Sequence, residues 1–279
     1  MKQYPYLYGP DLISDFACEF IEANKEKPFF LYYPMALVHC PFDYTPDSEG
    51  WEENNLGSLT YKGNPEYFAD MVAYTDKIVG KIIDQLEASG VRENTLIIFT
   101  GDNGTDKPIV SMMGDQEVIG SKSIPIEWGT HVPFVASWPR SIPKGSFNSD
   151  LIDFSDMLPT ICEAAGIDVP VDPLLTGRSF LPQLKGEQGE PREWLYCWYH
   201  PRGHNDLKIF TRTEQYKLYK SGAFYDVSKD VLEQQPLEVS GLGEVAMVAH
   251  AQLQQALAGF EVLEQRHKEV YPDKERGAK

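Results

Sequence analysis

Apolar positions recur at helical spacing in some stretches of the chain and as short continuous runs in others. Leu12, Ile13, Phe16, Ala17, Phe20 and Ile21 share one helical face and predict a helix over 11–23. Lys27-Pro28 ends it, and Phe29-Phe30-Leu31-Tyr32-Tyr33, bounded by prolines, reads as a buried strand. Residues 34–63, rich in Pro, Asp, Gly and Asn, read as a long polar loop. A second helix is signalled by Asn64 as cap, Pro65 at the first helical position and Glu66 at the positive end of the dipole. Phe68, Met71, Val72, Thr75, Val79, Ile82, Ile83 and Leu86 form its apolar stripe, and Gly90 is placed to end it.

Thr95-Leu96-Ile97-Ile98-Phe99-Thr100 is apolar almost throughout, as expected of a strand covered on both faces of a parallel sheet. Residues 133–138 form another apolar strand, and 156–165 a helix stopped by Gly166. Strand and helix alternate to about residue 185, which predicts a doubly wound, mostly parallel α/β sheet. The texture changes at the Gly- and Pro-rich stretch 186–191, so the expected domains are 1–188 and 189–279. Beyond it, 194–199, 208–213, 216–220 and 224–227 read as short antiparallel strands, with a hairpin at Lys220-Ser221-Gly222. An amphipathic helix over 245–264 and a charged, frayed tail from Arg266 close the chain.

Composition narrows the classes. At 279 residues with a formal net charge of −17, the chain is suited neither to nucleic acid nor to anionic membrane surfaces. No apolar stretch is long enough to span a bilayer, and Met1-Lys2-Gln3-Tyr4-Pro5 does not begin a signal peptide. Cys18, Cys40, Cys162 and Cys197 are too widely spaced for a zinc site or a disulfide framework and read as thiols.

In open parallel sheets ligands bind beyond the carboxyl ends of the strands. Gly101-Asp102-Asn103-Gly104 follows the 95–100 run, His39 follows 29–33, and Gly120-Ser121-Lys122 lies beyond the next loop. Asp102 and Asn103 offer a carboxylate and an amide oxygen, the hard donors that calcium or magnesium prefers, though two fall short of the roughly six to eight oxygens calcium takes.

These residues resemble the sulfatase family, of the arylsulfatase type. The resemblance runs from the 29–33 strand through His39 and Pro41. It is densest at Ala73, Tyr74, Asp76, Val79, Gly80, Leu86, Asn94, Thr95 and the run from Thr100 to Gly104. It continues through Gly120, Lys122, Glu127, Gly129, Val132-Pro133, Trp138-Pro139, Asp156, Leu158-Pro159-Thr160, Ala165-Gly166, Gly177 and Ser179, to Tyr216-Lys217-Leu218 and Tyr225-Asp226. The resemblance implies an alkaline-phosphatase-like fold, incomplete here, with a small C-terminal antiparallel sheet plus helix, and hydrolysis of sulfate esters. It implies a calcium ion, ahead of magnesium, held in part by Asp102 and Asn103. His39 would lie against the sulfate and the leaving oxygen, with Lys122 on a sulfate oxygen. In similar proteins the region of His200, Arg202 and His204 leans over the pocket, where these residues would meet the substrate's sugar or aryl part. The implied partner is a sulfated small molecule or glycan. Members are often periplasmic, secreted or lysosomal.

The family's nucleophile is a Cys or Ser, matured to formylglycine, in a Cys/Ser-x-Pro-x-Arg motif upstream of the histidine loop, and no residue here matches it. Cys18, Cys162 and Cys197 lack the proline; Cys40 has Pro41 directly after it and Phe42 where proline belongs. Ser123-Ile124-Pro125 is followed by Glu127 in place of arginine, and Ser141-Ile142-Pro143 by Gly145. The early Asp pair of the metal site and the second Lys and His are absent; His131 and Val231 stand where many members carry arginine and proline. The expected chain is therefore the C-terminal part of a sulfatase, completed by an N-terminal segment or associating with a second copy, because a sheet lacking its first strands exposes an apolar edge. The alternatives are a phosphodiester or phosphonate hydrolase of the same superfamily, and an inactive relic or interaction domain.

Overall fold

The fold was obtained as a computed structural model that describes residues 8–52, 57–172, 174–199 and 208–270. The chain divides into two compact units: Met1–Lys122 with Val132–Ser141, and Ser123–His131 with Ile142–Lys279. This interleaved division is a different partition from a single cut at 188/189.

In the first unit, α1 (Gly9–Asn24) and α2 (Phe68–Ala88) pack side by side. Helical spacing puts Ala17 and Ile21 of α1, and Met71, Tyr74, Ile78 and Leu86 of α2, in the interior. Polar contacts fix the register of the pair. The Tyr74 hydroxyl donates to both Asp11 oxygens at 2.8 and 2.9 Å, and Lys81 Nζ donates to Ser14 Oγ at 2.9 Å. Asn64 caps as its sequence suggests, accepting from the Glu66 amide at 3.2 Å, but a 3₁₀ turn over Pro65–Tyr67 precedes the α-helix proper. At the other end the Gly90 amide bonds Glu87 O at 2.9 Å and the Val91 amide bonds Leu86 O at 3.0 Å, satisfying the last carbonyls.

Three expectations for this unit are corrected. Residues 29–33 belong to no ladder. Phe29, Leu31 and Tyr33 are partly covered while Phe30 and Tyr32 are 66% and 77% exposed. The run lies extended, Phe29 packs edge-on against Phe20 at 5.9 Å, and among the described residues no strand lies beside it. Second, β1 (Ile97–Thr100) pairs with β4 (Phe134–Ser137) antiparallel, Ile97 opposite Ser137 and Thr100 opposite Phe134. A continuous apolar run reports burial of both faces, not strand direction. Third, the loop expected beyond Asp102 contains a hairpin, β2 (Val110–Met113) against β3 (Gln116–Ile119), turning at Gly114-Asp115. Its side chains are nearly all exposed, so no burial pattern announced it.

In the second unit, β5 (Leu195–Tyr199), β6 (Lys208–Arg212), β7 (Tyr216–Tyr219) and β8 (Phe224–Asp226) form the expected antiparallel meander. The β7–β8 turn closes through the Gly222 amide to Tyr219 O at 2.9 Å. Helix α6 (Glu244–Val270) lies on β6 and β7 and continues past the expected end at 264, over the first residues of the tail expected to fray from Arg266, of which 271–279 lie outside the described residues. Ala246, Ala249 and Leu253 of α6 bury against Tyr216, Leu218 and Phe224. Two short helices, α3 (Glu127–Thr130) and α5 (Leu181–Leu184), and the longer α4 (Met157–Ala165) complete the unit. Among the described residues no helix is long and apolar enough to cross a membrane.

A buried ion pair organises the entry to α4. Asp156, 1% exposed, takes Arg192 Nε on one oxygen at 2.7 Å and Arg192 Nη2 on the other, and also accepts from the Arg178 amide at 2.7 Å and the Asp153 amide at 3.0 Å. With this many donors the carboxylate is compensated only while arginine is present. Replacing Arg192 by Ala should lower unfolding free energy by about 3–5 kcal/mol, the usual consequence of orphaning one partner of a buried pair. Urea denaturation of the two proteins measures it.

Candidate active site

Three loops of the first unit carry His39, Asp102-Asn103 and Lys122, and the structure fastens them to one another. The histidine loop folds back on itself, its His39 amide bonding Ala36 O at 2.9 Å. His39 Nδ1 lies 2.6 Å from Cys40 O. A carbonyl oxygen only accepts, so Nδ1 carries the proton and Nε2 is the nitrogen left for other chemistry. His39 and Asp102 are exposed; Asn103 and Lys122 are half-buried. Among the described residues the side chains of Asp102, Asn103 and Lys122 engage in no hydrogen bond or ion pair.

The loops meet through apolar packing, backbone bonds and one ion pair. Cys40 and Phe42, just beyond His39, bury with Met71 and with Ile109 from the segment after Asp102; Leu37, Val38 and Phe68 pack on them. Phe42 also bonds residues 62–64 around an isolated bridge to Gly63, its amide to Lys62 O at 2.9 Å and its carbonyl from the Asn64 amide at 2.8 Å. From there the Lys62 ammonium reaches Asp106, four residues beyond Asp102, and lies 4.0 Å from Cys40 Sγ. Burial pushes the Asp106 carboxyl up, but Lys62, the Lys107 amide and the Cys40 thiol outweigh it and hold the carboxyl below its ordinary range. The lysine loop joins on the other side: the Lys122 amide bonds Thr105 O at 2.9 Å and the Gly120 amide bonds Ile109 O at 2.8 Å. A Cβ at Gly120 would fall 1.9 Å from the Asp106 carbonyl oxygen, so only glycine admits this approach.

Directly after Lys122 the chain passes to the second unit. There Lys217 Nζ, 1% exposed as a residue, donates to Pro125 O and to Glu233 at 2.7 Å, and the Tyr219 hydroxyl bonds Glu233 at 2.5 Å. Burial pushes the Lys217 ammonium down, against the pull of Glu233. Glu127 bridges His131, at 2.7 Å, and Arg212. Burial alone would raise its carboxyl; the hydrogen bond from His131 and the charge of Arg212 outweigh that and hold it at about 2. Glu127 in turn raises the His131 imidazole.

The described residues include no group of three or more His, Cys, Asp or Glu side chains placed to hold a metal. All four cysteines are free thiols, and Cys40 is buried. His200, Arg202 and His204 lie outside the described residues. Sequence reading passed over Lys62 and Asp106, which lie 44 positions apart; no local signal pairs them.

Comparison with known proteins places the chain in a family. The profile described as Sulfatase matches residues 2–167, and the one described as N-sulphoglucosamine sulphohydrolase, C-terminal, matches residues 121–260. The chain belongs to the sulfatase family. It is 33% identical over 222 residues to the uncharacterized sulfatase YdeN of Escherichia coli, covering 77% of this chain and 38% of that protein. It is 28% identical over 260 residues to human steryl-sulfatase, covering 79% and 42%. The chain thus spans well under half the length of these relatives. Among solved structures, Ps i-CgsB superposes with a TM-score of 0.67 at 24% identity, over 89% of this chain and 54% of that one. BT4656, solved with its substrate D-glucosamine-2-N,6-O-disulfate, gives 0.56 at 25% identity, over 75% and 42%. The fold is that of the sulfatases, alkaline-phosphatase-like and mixed α/β.

Two outcomes follow. Gly120→Ala should destabilise the first unit by about 1–3 kcal/mol, as overpacking against backbone does, read as a lower urea midpoint. Glu127 has its folded value below its unfolded one, so its stabilisation is full above about pH 4.5 and lost as pH falls towards about 2. Glu127→Gln should flatten the fall in the urea midpoint between pH 4.5 and 2.5 relative to wild type.

Proposed function

We propose that this chain carries the sulfate-binding side of a sulfatase active site and serves the hydrolysis of sulfate esters. The observation that carries the reading is the fastening of the His39, Asp102-Asn103 and Lys122 loops to one another in a chain of this family. The half-buried Lys122 ammonium holds a sulfate oxygen and neutralises charge that grows on the ester as the bond to the leaving group breaks. His39, with Nδ1–H engaged by Cys40 O, presents Nε2 to the leaving oxygen; as the imidazolium it gives the Nε2 proton to that oxygen and is left as the neutral ring protonated at Nδ1. Asp102 and Asn103 would hold a calcium ion, for which their hard oxygens are the right donors, with magnesium second; the ion would supply electrostatic stabilisation of the sulfate oxygens. Two such ligands leave the rest of the coordination sphere to water or to residues outside this chain. Formylglycine does not fit any residue here: no cysteine or serine has the required neighbours, and Cys40, the cysteine beside His39, is buried against Lys62 and Asp106.

For the substrate we propose a sulfated glycan. BT4656 was solved with a disulfated glucosamine and Ps i-CgsB with k-i-k-neocarrahexaose. His200, Arg202 and His204 would contact the sugar.

Titration calorimetry tests the site without needing turnover. Calcium should bind weakly, in about the millimolar range given two protein oxygens, and not at all to Asp102→Ala. With calcium present, inorganic sulfate should bind, and Lys122→Ala should weaken it about 10- to 100-fold, the loss of one charge-assisted contact. Preference for phosphate over sulfate would favour a phosphodiester or phosphonate hydrolase. Binding of neither anion would leave an inactive relic or interaction domain.

A further inference from the structure

We infer that Lys62 and Asp106 are positioning residues of this site: their ion pair sets the spacing between the His39 loop and the loops carrying Asp102-Asn103 and Lys122. The inference rests on the sulfate-ester reading above and extends it to two residues that touch neither sulfate nor metal in it.

The argument is one of connectivity. Lys62 is bound to the histidine loop through its backbone, because its carbonyl accepts the Phe42 amide at 2.9 Å and the next residues bridge Phe42 again. Its side chain therefore moves with that loop. Asp106 is bound to the other two loops: the neighbouring Thr105 carbonyl accepts the Lys122 amide at 2.9 Å, and the Asp106 carbonyl itself is the surface against which Gly120 packs. Asp106 Oδ1 is held by the Lys107 amide at 2.9 Å, which aims Oδ2 at Lys62. Among the described residues the loops are also linked by the apolar cluster of Cys40, Phe42, Met71 and Ile109, which resists separation but not sliding, since apolar contact is non-directional. The ion pair adds direction. The Lys62 side chain is 46% exposed and that of Asp106 14%, so water screens the pair at its lysine end and its contribution to folding free energy is modest. Cys40, beside His39, lies against both partners, so the pair is seated at the base of the histidine loop.

The test compares wild type, Lys62→Met, Lys62→Arg and Asp106→Asn by three readouts: thermal midpoint, amide hydrogen exchange and inorganic sulfate affinity with calcium present. In Lys62→Met and Asp106→Asn, exchange at the Phe42, Gly120 and Lys122 amides should quicken while α1 and α2 keep theirs. Sulfate affinity should fall about 10- to 100-fold, as misplacement of a binding group by about an ångström does. The midpoint should hardly move, and Lys62→Arg should restore both exchange and affinity. Unchanged exchange at those amides overturns the inference. So does quickened exchange with sulfate affinity intact, which would make the pair structural only, or a general loss of stability that Lys62→Arg fails to reverse. If wild type itself binds no sulfate, the sulfate reading fails. The tie is then decided by exchange alone, upheld by loosening confined to the three loops and reversed by arginine, and overturned otherwise.

Discussion

The approach of Gly120 to the Asp106 carbonyl is the constraint on which the candidate site depends. Where a Cβ would come within 1.9 Å of that oxygen, two loops are pressed together at backbone distance. Backbone approaches of this kind are rigid, because nothing at the contact can change rotamer. The Lys122 amide can then reach Thr105 O, and the β2–β3 hairpin is pinned at its base by the Gly120 amide on Ile109 O. Side chains placed from such a base inherit its rigidity, which suits a site whose ligand charge is met by groups already in place rather than by groups that reorganise.

The second unit solves a different problem with charge. Asp156 with Arg192, and Lys217 with Glu233, are ion pairs taken almost wholly out of water. Each charge has a partner and further hydrogen bonds, which is the condition under which buried pairs are tolerated. Arg192 ties the sheet's entry to the start of α4, and Lys217 captures Pro125 O in the segment just beyond Lys122. These pairs specify which segments meet. The apolar core of α6 against β6 and β7 contributes the burial but would accept several registers.

The chain's place in its family bears on its chemistry. It spans 38% of YdeN and 42% of human steryl-sulfatase, and it carries His39, Asp102, Asn103 and Lys122 on loops of its first unit. Exposed apolar side chains accompany this: Phe16 on α1 and Phe30 and Tyr32 on the extended run are each at least 66% exposed.

Local signals accounted for much of the fold. Helices α1, α2, α4 and α6 and the meander β5–β8 lie where periodicity, caps and turns put them, because those devices act within a few residues. The residues His39, Asp102, Asn103 and Lys122 were legible as motif positions at the ends of apolar runs. What sequence left undecided was everything set by distant partners. β1 and β4 pair antiparallel because of where their connections return, which apolarity does not encode. The β2–β3 hairpin has no buried face to mark it. The 29–33 run is as apolar as a central strand yet has no neighbour among the described residues. Lys62 and Asp106 meet across 44 positions, and Lys217 reaches Pro125 across 92. The sequence by itself determined the main helices, the C-terminal strands and the chemical groups. Only the tertiary structure decided which loops those groups share, because a single long-range contact has no periodicity from which to be read.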